Sequence, residues 1–271
     1  MQLIGQQLNL DIISKWNKFP NFLIIQGEEH TGKNYFLLYL CKLYKLHYIK
    51  VPISVKNIRE LISQMVVNSN TVYHLDNFDK ASPQAKSALL KITEEPMPGN
   101  YIVITGGPQI ATLRSRARLI IMSPYKYEEL NDLYSRYYPE LDSLKLFKAG
   151  INTPAKIEYY KDCTQLKELL DSVYSIFSKI TYIEAVDYIP ILKLFSNRYE
   201  DDEVDICMLY INMLLQLISE KMLSSGKYSY YDILEVILKI KKQLSSENTL
   251  NRRLLLFKMF YEINSLHNSE V

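Results

Sequence analysis

The segment between Thr71 and Arg118 constrains the fold more than any other part of this 271-residue chain. An apolar run, TVYHL, ends in the acidic tetrad DNFD, and a helical stretch that closes with EEP leads to a second apolar run, YIVIT. Apolar runs without alternation, joined by helices, indicate parallel strands that are buried on both faces of a sheet. An Arg-Ser-Arg turn follows. The segment therefore predicts an α/β domain with an acidic group at one strand end and an arginine at its far edge.

The same alternation of strands and helices extends over the first half of the chain. Strands are predicted at 22–26, 47–51, 71–76, 101–105 and 118–122, with helices at 34–45, 55–68 and 82–95. Ser82 is the expected N-cap of the third helix, and Pro96 is expected to end it. After residue 124 only helical patterns remain. We therefore predict an α/β domain with a parallel sheet at 1–125, a small helical domain at 126–164, and an all-α domain at 165–271.

Composition excludes several classes of protein. The formal net charge is only +2, so the chain lacks the basic field that would grip nucleic acid over its whole surface. Cys41, Cys163 and Cys207 are far apart and form no CxxC pair, which argues against zinc and against disulfides and favours buried thiols in a reducing cytoplasm. The N-terminus is not of the secretory type, and no apolar window suggests a membrane span. We expect a globular cytoplasmic protein.

A phosphate loop is predicted directly after the first strand. Residues 27–34 read GEEHTGKN and match the pattern GxxxxGK[ST] except at the last position. The glycines would let backbone N–H groups surround phosphate oxygens, and the lysine would reach the β and γ phosphates of ATP. Asn34 offers an amide where a hydroxyl normally binds Mg²⁺. The alternative is a strand–turn–helix in which two glycines occur by chance. The predicted nucleotide-binding residues of this loop are Gly27, Thr31, Gly32, Lys33 and Asn34.

Three further residues complete the predicted nucleotide site. Asp76, at the acidic strand end, is the candidate carboxylate for Mg²⁺. Asn77 follows it, where hydrolysing sites usually carry a glutamate that positions water, and a neutral amide cannot accept a proton. Thr105, at the end of a later strand, could point to the γ-phosphate or be an ordinary strand-end threonine. These residues predict nucleotide binding without efficient turnover, unless Asp79 replaces the missing base.

Two basic residues are candidates for contacts with other molecules. Arg116 stands in the LRSRAR turn and could complete the ATP site of a neighbouring subunit, as an arginine finger does. The alternative is a surface arginine in a basic turn. Lys91, on the helix after the acidic strand end, could reach a DNA phosphate, and the alternative, which the sequence favours, is a solvated helix lysine.

These motifs resemble the clamp-loader branch of the AAA+ ATPases, and most of all the DNA polymerase III delta-prime and gamma-like subunits. The most specific match is LDNFDKASPQAKSALLKITEEP, which is similar to the acidic strand end and helix of that family. LRSRAR is similar to its Ser-Arg-Cys turn, with Ala117 in place of the cysteine. Weaker likenesses are the Ile4-Gly5-Gln6 element near the adenine, the lid segment at 148–160 and the last collar helix at 248–260.

The resemblance implies a role in DNA replication within a hetero-oligomeric ring. A delta-prime-like subunit would join other clamp-loader subunits, help to load a sliding clamp onto primed DNA, and supply Arg116 to a neighbour while its own ATP site is degenerate. The chain departs from motor subunits at Asn34, at Asn77, and at Pro154-Ala155, where a sensor arginine would stand. The zinc module of many bacterial members is missing. Two alternatives remain: an active, gamma-like ATPase motor, and a non-catalytic AAA+ adaptor for a replication protein.

Overall fold

The computed structural model describes residues 3–95, 97–180, 183–195, 205–225, 229–245 and 251–268. Backbone contacts divide the chain into two compact units. The first comprises residues 1–130 with 153–155, and the second comprises 131–152 with 156–271. Most of the predicted small helical domain (126–164) and the whole predicted all-α domain (165–271) fall into the second unit. Their separation into two domains stays a prediction.

A five-stranded parallel sheet forms the centre of the first unit, which confirms the predicted α/β fold. Its strands are β1 (Phe22–Gln26), β2 (His47–Lys50), β3 (Thr71–Leu75), β4 (Asn100–Gly106) and β5 (Arg118–Ile121). The strand order is β2-β3-β4-β1-β5. Because all strands run the same way, the carboxyl ends of β1, β2, β3 and β4 meet at one edge of the sheet, and the start of β5 lies at the other.

Helices cover both faces of the sheet, because successive side chains of a strand point to opposite faces. The helices of the first unit are α1 (Gln7–Ser14), α2 (Lys33–Leu43), α3 (Val55–Val67), α4 (Pro83–Glu94) and the short α5 (Ala111–Arg114). Ile24 and Ile104 pack in one core with residues of α3 and α4. Leu23 and Ile25 pack in the other core with residues of α1 and α2.

The helix starts follow from local capping chemistry. Ser82 Oγ accepts a hydrogen bond of 3.2 Å from the backbone N–H of Ala85, and Pro83 fits the first turn, which confirms the predicted N-cap of α4. Pro96, expected to end this helix, lies outside the described residues. The helices α1 and α5 were not predicted, because each is short and its apolar pattern is brief.

The remainder of the described chain is helical. Its helices are α6 (Tyr127–Tyr137), α7 (Ser143–Lys148), α8 (Pro154–Tyr159), α9 (Leu166–Ser178), α10 (Ala185–Leu194), α11 (Ile206–Ser225), α12 (Ser229–Ser245) and α13 (Arg252–Asn268). One face of α9 is buried through Leu166, Leu169, Leu170, Val173 and Ile176, and α10 continues through Pro190 as one helix. In the described part of the chain, α11 alone has the length and hydropathy of a membrane span, but 56% of that stretch is buried within the protein, as in the core helix of a soluble protein.

Candidate nucleotide site

The phosphate loop connects β1 to α2, in the strand–loop–helix context that the motif requires. A side chain at Gly27 would place its Cβ 2.8 Å from Met122 Cβ and 2.9 Å from Thr31 Oγ1, so only glycine fits without a shift of its neighbours. Gly32 has a φ of 79°, a left-handed conformation that favours glycine, and α2 begins at the next residue. The local structure of the loop therefore explains why glycine occupies both positions.

Lys33 is bound to its own loop. Its ammonium group donates hydrogen bonds to the carbonyl oxygens of Gly27, at 2.9 Å, and of Glu28. Thr31 Oγ1 also donates to the Glu28 carbonyl, at 2.8 Å. Burial lowers the pKa of Lys33, while the nearby carboxylates of Asp76 and Glu29 act in the opposite direction. A phosphate at this loop would have to replace carbonyl contacts that the lysine already makes.

The loop also carries two exposed carboxylates of its own, Glu28 and Glu29. Glu29 Oε1 pairs with Lys80 Nζ at 3.0 Å, and this hydrogen bond lowers the pKa of the Glu29 carboxyl. Anion sites in proteins gather backbone N–H groups and positive charge, whereas carboxylates repel phosphate oxygens. The charge of this loop is therefore less favourable to a nucleotide than the motif alone indicates.

The carboxylate of Asp76 is the centre of a polar cluster, which we call the Asp76 cluster. Its Oδ2 accepts hydrogen bonds of 2.9 Å from Asn34 Nδ2 and of 2.9 Å from Lys50 Nζ, and its Oδ1 accepts one of 2.8 Å from Thr105 Oγ1. Asn34 Oδ1 lies 3.2 Å from the same threonine hydroxyl. The structure thus brings together three of the predicted site residues, Asn34, Asp76 and Thr105, and adds Lys50, which was not predicted.

His74 supports this cluster from within the sheet. Its ring is fully buried, with Nε2 2.8 Å from Thr105 Oγ1 and Nδ1 2.8 Å from the Tyr48 hydroxyl. Because Thr105 donates its proton to Asp76, it accepts from His74 Nε2–H, and His74 Nδ1 accepts from Tyr48. Burial lowers the pKa of His74 to about 4. The charge of Asp76 acts to raise this pKa, and the charge of Lys50 acts to lower it further. The histidine is therefore neutral at physiological pH and holds Thr105 towards Asp76.

The Asp76 cluster does not fit Mg²⁺. Burial acts to raise the pKa of Asp76, but hydrogen bonds from Lys50, Thr105 and Asn34 outweigh it and lower the pKa to about 2, so the group is a carboxylate. Magnesium needs near-octahedral oxygen ligands at about 2.0 to 2.1 Å. Here both carboxylate oxygens accept protein hydrogen bonds, and the Asn34 amide turns its NH₂ to the carboxylate. Among the described residues no group of three histidine, cysteine or acidic side chains is arranged to hold a metal.

Neither candidate for the water-positioning base is arranged for that role. Asn77 begins a short turn with a φ of 54°, and its side chain is exposed. The Asp79 carboxylate accepts a hydrogen bond of 2.9 Å from the backbone N–H of Gly107 and so connects the turn to the end of β4. One oxygen of the Asp79 carboxylate thus has a structural partner in the backbone.

Gln6 and Tyr125 lie beside the loop, on the β5 side of the sheet. The side-chain amide of Gln6 pairs with the backbone of Ser123 in both directions, at 2.7 Å to the carbonyl and 3.0 Å from the N–H. The Tyr125 hydroxyl donates to the Thr31 carbonyl at 3.2 Å. The Gln6 element thus fixes the chain after β5.

Arg116 lies far from these residues. It precedes β5, at the amino-terminal edge of the sheet, whereas the phosphate loop is at the carboxyl-terminal edge. Its guanidinium donates to Glu94 Oε1 at 2.9 Å and to the Thr112 carbonyl at 2.9 Å, and it remains partly exposed. Arg116 therefore cannot act on this chain's own loop, but a molecule placed against this edge can reach it. Lys91 is exposed on α4.

Lys50, Tyr48 and the supporting role of His74 were not predicted from the sequence. Tyr48 and Lys50 lie on β2, which pairs with β3 so that Lys50 is opposite His74. A lysine at a strand end gives no signal by itself. Only the strand order, with β2 beside β3, shows that the lysine reaches the acidic strand end, and that order is not readable from the periodicity of one sequence.

A family model and solved structures resemble this chain. Residues 12–126 match the family described as DNA polymerase III, delta subunit. A DNA polymerase III gamma subunit-related protein from Thermotoga maritima superposes with a TM-score of 0.52 at 17% identity, over 96% of this chain and 99% of that one. The Thermotoga maritima RuvB Holliday junction branch migration motor gives a TM-score of 0.47 at 13% identity over 82% of each chain. No curated protein sequence matches significantly.

Proposed function

We propose that this chain is a delta-prime-like subunit of a clamp loader, because its residues 12–126 match the family described as DNA polymerase III, delta subunit. In this role it joins other clamp-loader subunits in a cytoplasmic ring that loads a sliding clamp onto primed DNA. It supplies Arg116 to the ATP site of a neighbour and does not hydrolyse ATP itself.

The observation that carries the proposal is the state of Asp76. Its carboxylate accepts hydrogen bonds from Lys50, Asn34 and Thr105, and no base stands at the next residue, Asn77. A hydrolytic site needs its acidic strand end to hold a metal and its neighbour to position water. Here the Asp76 carboxylate is occupied by three hydrogen bonds and Asn77 cannot act as a base, so a role that depends on the chain's own hydrolysis is disfavoured.

Arg116 supports the part of the proposal that concerns a neighbour. An arginine at the sheet edge opposite the phosphate loop can serve only a nucleotide on another molecule. The contacts with Glu94 and with the Thr112 carbonyl orient the guanidinium, and about a third of the side chain stays exposed, 36%. Such an arginine, supplied in trans, contributes roughly 10³- to 10⁵-fold to the rate in the best-studied nucleotide hydrolases.

The test is the ATPase rate of the complex that copurifies with the tagged chain, for the unchanged protein, Arg116→Ala and Arg114→Ala. Arg114 ends α5 in the same turn and is exposed, so its substitution removes an equal charge two residues away. We expect Arg116→Ala to leave the subunit composition unchanged and to lower the rate at least tenfold. Arg114→Ala should keep most of the rate. Equal rates for all three complexes would refute the arginine-finger role and favour the adaptor.

The gamma-like alternative predicts that the isolated chain hydrolyses ATP. The delta-prime-like proposal predicts instead that purified protein without partners, with and without primed DNA, hydrolyses ATP no faster than its Lys33→Ala variant. Turnover that depends on Lys33 would mean that the Asp76 cluster opens to accept a metal. The chain would then be a motor, and the proposed division of labour would be wrong.

A further inference from the structure

Lys50, at the end of β2, places its ammonium group against the Asp76 carboxylate. Its ammonium group lies 2.9 Å from Asp76 Oδ2, the same oxygen that accepts a hydrogen bond from Asn34. In a P-loop site this carboxylate and the residue at the position of Asn34 are the two protein groups that hold Mg²⁺ between them. The lysine thus brings a positive charge to the place where the divalent cation would bring its own.

We propose that Lys50 is a built-in cation that takes the metal position of this phosphate-loop site and excludes divalent cations from Asp76. A nucleotide that binds this loop therefore does so without a metal ion at the acidic strand end. The inference deepens the proposed function, since it rests on the degenerate site of that function and names the side chain that keeps a metal out of it.

Two physical reasons support the exclusion. First, the carboxylate has its negative charge compensated by an ammonium group in direct contact, and a second cation at the same oxygens would face that charge at close range. Second, both carboxylate oxygens already accept hydrogen bonds, and Thr105 is held in its donating orientation by the buried His74. A metal would have to break contacts with three separate side chains at once.

An ordinary surface ion pair is the competing explanation. The Lys50 side chain is 59% exposed, and exposed pairs contribute little to stability. The proposal, however, concerns the exclusion of metal and not stability. Removing the lysine should uncover a metal site in which Asp76 and Asn34 are still in place. A mere surface pair predicts no such gain.

The experiment uses Mn²⁺ alone as the probe, with the ¹⁵N-labelled full chain and no nucleotide. Paramagnetic broadening of the Asn34 side-chain amide signal reports a metal ion at Asp76. Four proteins are titrated: the unchanged chain, Lys50→Met, Lys50→Met with Asp76→Asn, and Lys56→Met. Lys56, on α3, forms an exposed pair with Glu60 at 3.9 Å, so its substitution removes the same charge from another ion pair of the same unit.

We expect Lys50→Met to bind Mn²⁺ at this site roughly tenfold or more tightly than the unchanged chain, because a like charge in contact is removed. The gain should disappear in the double variant and should be absent from Lys56→Met. Equal broadening in the unchanged chain and in Lys50→Met, no Asp76-dependent broadening in Lys50→Met, or an equal gain in Lys56→Met would each overturn the proposal. Because neither a partner nor ATP is present, these results stand or fall separately from the Arg116 test.

Discussion

The buried histidine of β3 should make the first unit sensitive to mild acid. His74 is fully buried, and its two ring nitrogens are both used, one by Tyr48 and one by Thr105. Protonation would place a second donor against the Tyr48 hydroxyl and a charge inside the sheet. The folded protein therefore resists protonation of His74, and the unfolded protein does not.

The expected loss of stability follows from the two pKa values. Burial lowers the pKa of His74 from 6.5 to about 4. A group with a lowered pKa binds fewer protons in the folded state than in the unfolded state. Its contribution to the free energy of unfolding is therefore fully present above the pKa of the unfolded state, and it is lost as the pH falls towards the pKa of the folded state. The total loss at low pH is about 3 kcal/mol, of which about 2 kcal/mol falls between about pH 7 and pH 5. Asp76 adds nothing in this window, because its pKa is about 2 when folded and 3.8 ordinarily.

The assay is urea unfolding followed by the fluorescence of Trp16 at several pH values. Trp16 is the only tryptophan of the chain, and it packs in the core of the first unit, so its signal reports the unit that contains His74. The unchanged protein is compared with His74→Gln and with His47→Gln. His47 is exposed at the start of β2 and is the matched control.

The deciding quantity is the change in the free energy of unfolding between the two pH values, and not the free energy of unfolding at one pH. His74→Gln should be less stable than the unchanged protein at neutral pH, because two buried hydrogen bonds are weakened, but it should lose about 2 kcal/mol less between about pH 7 and pH 5. His47→Gln should follow the unchanged protein. Parallel pH profiles for all three proteins would refute the assignment of a neutral, buried His74.

Two further predictions concern other parts of the chain. Tyr210 of α11 is fully buried, and within the described residues its hydroxyl has no hydrogen-bond partner, so Tyr210→Phe should stabilise the second unit by about 1 kcal/mol in urea unfolding followed by circular dichroism. A clear loss of stability would reveal a partner for the hydroxyl. If Lys91 contacts a DNA phosphate in the complex, Lys91→Ala should lower the salt slope of binding to primed DNA by about 1, whereas Lys56→Ala should not. An unchanged slope for Lys91→Ala would leave the lysine as a solvated surface residue.

Much of the first unit could be predicted because its signals are local. The strands are continuous apolar runs, and the start of α4 is encoded by Ser82 and Pro83 in adjacent positions. The five strands lie within two residues of their predicted bounds, with β4 running from Asn100 to Gly106 instead of 101–105. The short helices α1 and α5 were missed, because eight and four residues give too few turns for a periodic pattern to stand out.

The arrangement of the candidate site was predictable only in part. Motif spacing correctly brought Asn34, Asp76 and Thr105 to one edge of the sheet. The lysine and the histidine that complete their contacts escaped prediction for different reasons. Lys50 depends on the strand order, which no local pattern encodes. His74 lies inside an apolar run, where a single histidine gives no sign of the hydrogen bonds that occupy its ring.

The phosphate-loop motif persists in a site that does not fit a metal, and the contacts of the loop explain how both can be true. Gly27 is required by the close approach of Met122, and Gly32 by its left-handed backbone. Lys33 ties the loop together by donating to the carbonyl oxygens of Gly27 and Glu28. These three residues would be retained for the fold even if no nucleotide were bound. The chain departs from a hydrolysing site at Asn34 and at Asn77, and of these Asn77 has a left-handed φ of 54°, which asparagine tolerates better than most residues. A match to this motif is therefore evidence for the fold first, and evidence for hydrolysis only when its last position and the acidic strand end agree with it.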